Sequence, residues 1–278
     1  MTAWAPGPAW LFCPASRPDR YAKALGVADV VILDLEDAVA PADRPAARAA
    51  LRDLARRGEF DPERTVVRVN GAGTDDHAPD LEATAAAGVR RVMLAKSEDA
   101  AVVAALPHEV VLLVETPRGI EYAADLAAPD NVVALMWGAD DLVAGLGGTA
   151  SRRPDGSYRD VARYARSRAL VAAKTHGRLA LDAVHMDIPD IDGLGAECED
   201  AVAVGFDATV AIHPSQVGVI RAAYTPDAER VTWAQRLLDH VGEDRGVTTF
   251  EGRMVDGPIY LQAERVLRLA AATSGQEH

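Results

Sequence analysis

The sequence predicts an α/β chain wound into a closed (β/α)8 barrel, the TIM barrel, with a helical extension at its C-terminal end, and three observations predict it. Short apolar runs rich in Val, Ile and Leu recur eight times along the 278 residues. Parallel strands buried on both faces read as such runs rather than as polar–apolar alternation. Ala-rich amphipathic stretches lie between them, the pattern of repeated strand–helix units. Eight alternations suit closure into a barrel, whereas an open doubly wound sheet usually needs fewer strands.

The strand-like runs are residues 10–12, 30–35, 66–69, 92–94, 110–114, 133–137, 179–181 and 208–212. Helical patterns fall at 44–57, 81–87, 120–127, 161–175 and 198–204, and Pro18 suits an early helix position after the first strand. No repeat or low-complexity linker divides these units. Beyond the eighth strand come helical patterns at 214–223 and 227–241, then a break at 242–246. Segment 247–278 holds a short apolar patch and a final helix with Tyr260, Leu261, Val266, Leu267 and Leu269. It is too apolar for a free tail, so it is expected to pack on its own barrel or on a neighbouring subunit. The expected division is a barrel at 1–224 and an extension at 225–278.

Hydrophobic residues make up 49% and charged residues 26%, the balance of a soluble globular protein with a full core. Cys13 and Cys198 match no zinc or disulfide framework, which points to a reducing cytosol. No apolar run is long enough to span a membrane, and no secretory leader is evident at the N-terminus. The net charge of −13 argues against a nucleic-acid partner, though not against a small anionic ligand met by a few local cations.

Barrel enzymes place their chemistry at the C-terminal strand ends. There the sequence sets Cys13, then Asp34, Glu36 and Asp37, then Arg68 and Asn70, then Lys96. Glu115 follows strand five, Asp140 and Asp141 strand six, Asp182, His185 and Asp187 strand seven, and His213 strand eight. Burying that much charge is unfavourable without partners, and crowded carboxylates call for a cation. Oxygen ligands without a His/Cys cluster suit Mg²⁺. Glu115 and Asp141, at the ends of adjacent strands, are the cleanest ligand pair; the competing reading is a structural salt bridge to Arg68 or Lys96. A second feature follows strand one, where Arg17, Arg20 and Lys23 flank the helix start at Pro18 and could seat a phosphate. The run Gly145-Leu146-Gly147-Gly148 lacks dinucleotide-loop spacing. His77, His108, His176 and His240 are read as inert loop or helix-surface residues, and Cys13 as packing.

Seven short pieces in chain order carry a family resemblance. They are Leu11-Phe12-Cys13-Pro14 with Arg17-Pro18-Asp19-Arg20, Leu33-Asp34-Leu35-Glu36-Asp37-Ala38-Val39 and Arg68-Val69-Asn70. Val114-Glu115-Thr116-Pro117-Arg118-Gly119 and Gly138-Ala139-Asp140-Asp141-Leu142 follow. Ala211-Ile212-His213-Pro214-Ser215-Gln216 and Gly252-Arg253-Met254-Val255-Asp256-Gly257-Pro258 complete the set. Together they resemble the citrate lyase β-subunit-like family of the malyl-CoA lyase and HpcH/HpaI aldolase superfamily. One departure is Asp140, where relatives often have Glu.

The resemblance implies a (β/α)8 barrel assembled as trimers or hexamers, with Mg²⁺ held by Glu115 and Asp141. It implies CoA-ester contacts at Phe12, Arg17, Lys23 and Arg68, with Glu115 also facing the substrate, and an Asp256 supplied to an adjacent subunit's site. The implied reaction cleaves or forms a 3-hydroxyacyl-CoA such as malyl-CoA, citramalyl-CoA or 3-hydroxy-3-methylglutaryl-CoA. Arg68 would hold the developing enolate oxyanion, Asp256 would move the proton, and Glu36 and Asp37 would support the metal's waters and Arg68. Two other readings remain open: the β-subunit of a citrate lyase complex acting on a carrier-bound citryl group, and a CoA-independent class II pyruvate aldolase. A non-catalytic scaffold fits the full set of Arg68, Glu115, Asp141 and Asp256 poorly.

Overall fold

The eight apolar runs form eight parallel strands of one closed barrel in the computed structural model of the chain, which describes residues 4–242 and 245–274. In chain order the first half is β1 (Ala9–Pro14), α1 (Pro18–Leu25), β2 (Val30–Asp34), α2 (Arg44–Arg56), β3 (Thr65–Val69), α3 (His77–Ala86), β4 (Arg91–Leu94) and α4 (Ala100–Ala105). The second half is β5 (Glu109–Val114), α5 (Pro117–Glu121), α6 (Ala123–Ala127), β6 (Val132–Trp137), α7 (Ala139–Gly145), α8 (Asp160–Thr175), β7 (Leu179–Asp182), α9 (Ile191–Val204) and β8 (Ala208–Ala211). Each strand pairs with its sequence neighbour, and β8 closes on β1 through Ala9↔Thr209, Trp10↔Val210 and Leu11↔Ala211.

Every expected strand forms, while several helices differ from expectation for local reasons. The stretch expected at 120–127 starts earlier, because the Thr116 hydroxyl accepts from Gly119 N at 3.0 Å and Pro117 fits the first turn. It then breaks at Tyr122 into α5 and α6. Helix α9 begins seven residues before the expected 198, capped by Asp190 onto Gly193 N. Gly193 and Gly195 dilute the apolar period there. The short helices α4 and α7 carry too few residues to show a period.

Side-chain alternation along the strands decides what enters the barrel. Trp10, Val30, Ile32, Val66, Met93, Val111, Leu113, Ala134, Met136, Leu181 and Val210 interlock in its interior. Continued toward the strand ends, the same alternation turns Asp34 inward after Ile32, Arg68 after Val66 and Glu115 after Leu113. Asp182 has the opposite parity, since its neighbour Leu181 is the inward residue.

The chain divides into two compact units, Met1–Ile220 and Arg221–His278, with the division inside α10 (Pro214–Tyr224). The second unit holds α11 (Ala228–Val241), a hairpin of β9 (Thr248–Phe250) and β10 (Arg253–Val255), and α12 (Gly257–Ser274). Its own core packs Ala234 and Leu237 of α11 with Phe250, Val255, Tyr260, Ala263 and Val266. The hairpin turns at Glu251 and Gly252, both with positive φ, the conformation of a two-residue turn that follows strand twist. Glu243 and Asp244 of the expected break, and the last four residues of the final segment, lie outside the described residues. Among the described residues, no helix is long and apolar enough to cross a membrane.

Candidate active site and metal centre

Arg68 is pinned on several sides. Its Nε and Nη2 donate to the Asp34 carboxylate at 2.7 and 2.5 Å, and Nη1 lies 3.0 Å from Glu36 Oε2 and 3.6 Å from Asp37 Oδ2. The Phe12 ring lies 4.8 Å from the guanidinium carbon. Asp34 is held in turn by the backbone N–H groups of Glu36 and Ala38, each at 2.9 Å. Burial opposes the Arg68 charge, but Asp34, Glu36 and Asp37 outweigh it and raise its pKa above the ordinary range. Glu36 shifts the other way for an acid: burial raises its pKa, against the pull of Arg68 and Lys96.

Glu115 is almost fully buried, 3% exposed, and accepts a hydrogen bond from Lys96 N at 3.1 Å. Burial first, then the Asp141 charge, push its pKa up to about 8. Gly138, just after β6, makes room for it, since a Cβ there would come within 2.8 Å of Glu115 Cβ and 2.9 Å of Oε2. Asp141, on the first turn of α7, is half exposed. The Lys96 ammonium stands among these acids. It bonds Glu36 Oε1 and lies 3.7 Å from Asp141, 3.9 Å from Asp37 and 4.0 Å from Glu115.

Arg68, Glu115 and Asp141 open onto a cavity of about 420 Å³ whose lining also includes Phe12, Tyr158 and Met186. Tyr158 comes from the segment between α7 and α8. It is held by Arg152 stacked 3.8 Å above its ring and by the edge of Trp137. Burial raises its pKa, so it remains a neutral phenol. Sequence reading passed over Tyr158 and Arg152, which lie in no strand end and in no apolar period.

Other expected rim residues lie elsewhere. Asp182 points away from the cavity, accepting from Arg166 Nη2 at 2.8 Å and from Trp137 Nε1 at 2.7 Å, as its strand parity requires. His185 bridges Glu197 and Asp190 at 2.9 and 3.1 Å, and His213 pairs with Ser215. Arg17 is exposed and its guanidinium is engaged by Asp19, while Lys23 is exposed on α1. Asp256 lies in the second unit between β10 and α12, half buried. His108 sits in the bend just before β5, at the strand end remote from the rim; it is buried there, and burial lowers its pKa. The glycines after Gly145 terminate α7, with Gly147 at φ 78°. Cys13 is buried and free, its thiol pushed up to about 11 by burial.

Among the described residues no cluster of three or more His, Cys, Asp or Glu side chains forms a ready-made metal cage. The donor chemistry fits Mg²⁺ nonetheless, because that ion takes one or two carboxylates and keeps water or substrate oxygens elsewhere. Glu115 is deeply desolvated and scarcely hydrogen-bonded, Asp141 is beside it in charge, and a cationic nitrogen already lies within 4.0 Å of both.

Comparison with known proteins agrees with this geometry. The HpcH/HpaI aldolase/citrate lyase family model matches residues 9–214. The citrate lyase subunit beta-like protein of Mycobacterium tuberculosis is 57% identical over 277 residues, covering 99% of this chain and 100% of that protein. A (3S)-malyl-CoA thioesterase of Cereibacter sphaeroides is 33% identical, covering 94% of each chain. The crystal structure of the Mycobacterium tuberculosis protein CitE in complex with magnesium, acetoacetate and coenzyme A superposes with a TM-score of 0.90 at 58% identity. That match covers 96% of this chain and 99% of the other. The chain therefore belongs to the HpcH/HpaI aldolase/citrate lyase family and is a lyase-class enzyme on a closed (β/α)8 barrel.

Proposed function

We propose that this enzyme is a Mg²⁺-dependent carbon–carbon lyase acting on a 3-hydroxyacyl-CoA that carries a carboxylate beside its hydroxyl, as malyl-CoA does. The observation that carries the reading is the pairing, on one cavity wall, of an underbonded Glu115 with Asp141 and a rigidly held Arg68. The M. tuberculosis complex with magnesium and coenzyme A supports both the metal and the thioester. When bound by Glu115 and Asp141, Mg²⁺ would act as a Lewis acid that lowers the pKa of the substrate hydroxyl.

The chain's own residues account for the rest. Once the hydroxyl has passed its proton to water, the C–C bond breaks and its electron pair moves to the acyl-CoA α-carbon and thioester oxygen. The oxo acid is released from the other side of that bond. Arg68 offers the guanidinium hydrogens left over from Asp34 and Glu36 to that oxygen, and its fixed orientation avoids reorganisation as charge develops. Asp34, Glu36 and Asp37 hold the guanidinium in place. Phe12, Arg17 and Lys23 are assigned to the CoA portion. Asp256, delivered by a neighbouring subunit of a trimer or hexamer, gives a proton from its carboxyl group to the α-carbon, or removes one in the condensing direction. The two free, buried thiols support a reducing, cytosolic setting.

A second reading is thioester hydrolysis, favoured by the relative that bears the name malyl-CoA thioesterase. A product assay separates the two. Purified enzyme is given a panel of 3-hydroxyacyl-CoA esters, with and without Mg²⁺. An acyl-CoA plus an oxo acid, formed only with the metal, supports the lyase, whereas free CoA plus the intact hydroxy acid supports hydrolysis. Turnover only of a carrier-bound citryl group, or only of oxo acids without CoA, would overturn the proposal in favour of the citrate lyase subunit or the pyruvate aldolase.

A further inference from the structure

Lys96 adopts φ 50°, a left-handed conformation that few non-glycine residues take. The conformation has a use, since it aims the backbone N–H at Glu115 Oε1, 3.1 Å away. Glycine would take this backbone shape without strain, so the backbone alone gives no reason for a lysine here. The side chain supplies one. Its ammonium bonds Glu36 and lies within 4.0 Å of Asp37, Glu115 and Asp141. Five carboxylates gather at this rim (Asp34, Glu36, Asp37, Glu115, Asp141), and two cations, Arg68 and Lys96, face them. With all five carboxylates ionised, as a bound cation would require of its ligands, three negative charges are left over with the ammonium in place and four without it. Arg68 is committed chiefly to Asp34, so Lys96 is the cation that Glu115 and Asp141 share.

We propose that Lys96 is a positioning residue that sets the cation affinity of this rim, because its tethered ammonium draws on the same carboxylates as a divalent metal and keeps that metal's hold weak. The inference rests on the Mg²⁺ reading above. With Mg²⁺ held by Glu115 and Asp141, the ammonium would keep its partners Glu36 and Asp37. Lys96 thereby limits both the strength of metal binding and the residual charge that a negatively charged substrate must approach. A merely structural lysine would behave in the opposite way: its loss would loosen Glu115 and weaken the metal.

Calorimetric titration of Mg²⁺ into the full-length wild type and the variants K96M, K96G and K96R tests this without any turnover. K96M and K96G are expected to bind Mg²⁺ on the order of tenfold more tightly than wild type, from removal of one positive charge about 4 Å from the metal's oxygens. K96R, which keeps the charge, should stay within about threefold of wild type. K96G suits the left-handed backbone, so it remains informative if K96M fails to fold by circular dichroism. Equal or weaker Mg²⁺ affinity in a folded K96M or K96G overturns the inference and leaves the metal reading intact. No Mg²⁺ binding by wild type overturns both.

Discussion

Glu115 is buried and Glu197 half-buried, yet their carboxyls respond in opposite directions. Burial is the largest influence on each and raises both. At Glu197 it is overcome by Arg152, which reaches both carboxylate oxygens, and by His185, so the pKa ends below the usual carboxylate range. At Glu115 the Asp141 charge adds to burial, the donor is a single backbone N–H, and the pKa climbs to about 8. Glu197 closes a network that also engages Asp190 and runs beside the Asp182–Arg166–Asp200 cluster. Glu115 lines a cavity with only Oε1 engaged, by the Lys96 N–H. Buried charge alone does not separate a site from a strut; the separation lies in whether each acid's hydrogen-bonding capacity has been used up by its own chain.

The sharpest way to break this contrast is to neutralise each glutamate in turn. Glu115→Gln is expected to abolish Mg²⁺ binding and lower kcat by at least about 10³-fold, with circular dichroism and Tm preserved. Glu197→Gln should leave Mg²⁺ binding intact and cost about 1–2 kcal/mol of stability, discounted for its partial exposure. If Glu197→Gln lost activity as severely as Glu115→Gln at unchanged Tm, the contrast would fail.

The next effect in size concerns Asp256. Asp256→Asn should fold, bind Mg²⁺ and turn over about 10²–10³-fold more slowly, having lost only proton transfer. Mixing it with Arg68→Ala under subunit exchange should restore part of the activity, because some pairings join an intact barrel to an intact Asp256. Exchange confirmed by mass spectrometry without recovered turnover would assign Asp256 to its own subunit.

Arg68 sharpens the comparison from inside the open network, since it is that network's best-bonded member. Arg68→Lys keeps the charge and loses the planar fork. A fall in kcat of about 10²-fold with KM little changed is expected; a raised KM at constant kcat would make it a binding residue only. The smallest effect belongs outside both networks. Arg17→Ala removes an exposed cation already paired with Asp19, so KM for a CoA ester should rise only about threefold to tenfold at constant kcat.

The strands were legible because each is a solid apolar run, and so were the acids and Arg68 at their ends. What escaped was parity and connection. Asp182 follows a strand as Glu115 does, but it is one residue out of phase with the inward row, a distinction that needs Leu181 and Leu113 as the reference. Alternation counted from the interior residues could have found it. Lys96 could be placed at the rim from the sequence, but its position among four carboxylates depends on a backbone turn into left-handed space that no lysine advertises. Tyr158 and Arg152 enter the cavity from an irregular segment, where no periodicity exists to be read. The hairpin at β9 and β10 did leave a trace, a Glu-Gly pair between short β-prone runs.

Gly138 has a further meaning. Its backbone is ordinary extended chain, φ −125° and ψ 129°, which any residue adopts, so the glycine serves space alone. The nearest atoms to its missing Cβ belong to Glu115, twenty-three positions earlier on the neighbouring strand. The two residues thus work as lock and keyhole. A single methyl group at 138 would evict the carboxylate while leaving every charge, every strand pairing and the barrel's closure as they are. Silencing by shape rather than by chemistry offers a clean control for any role this barrel plays apart from turnover. It also gives sequence readers a joint signature in which a glutamate ending one strand is credible as a working group when the next strand ends in nothing larger than hydrogen.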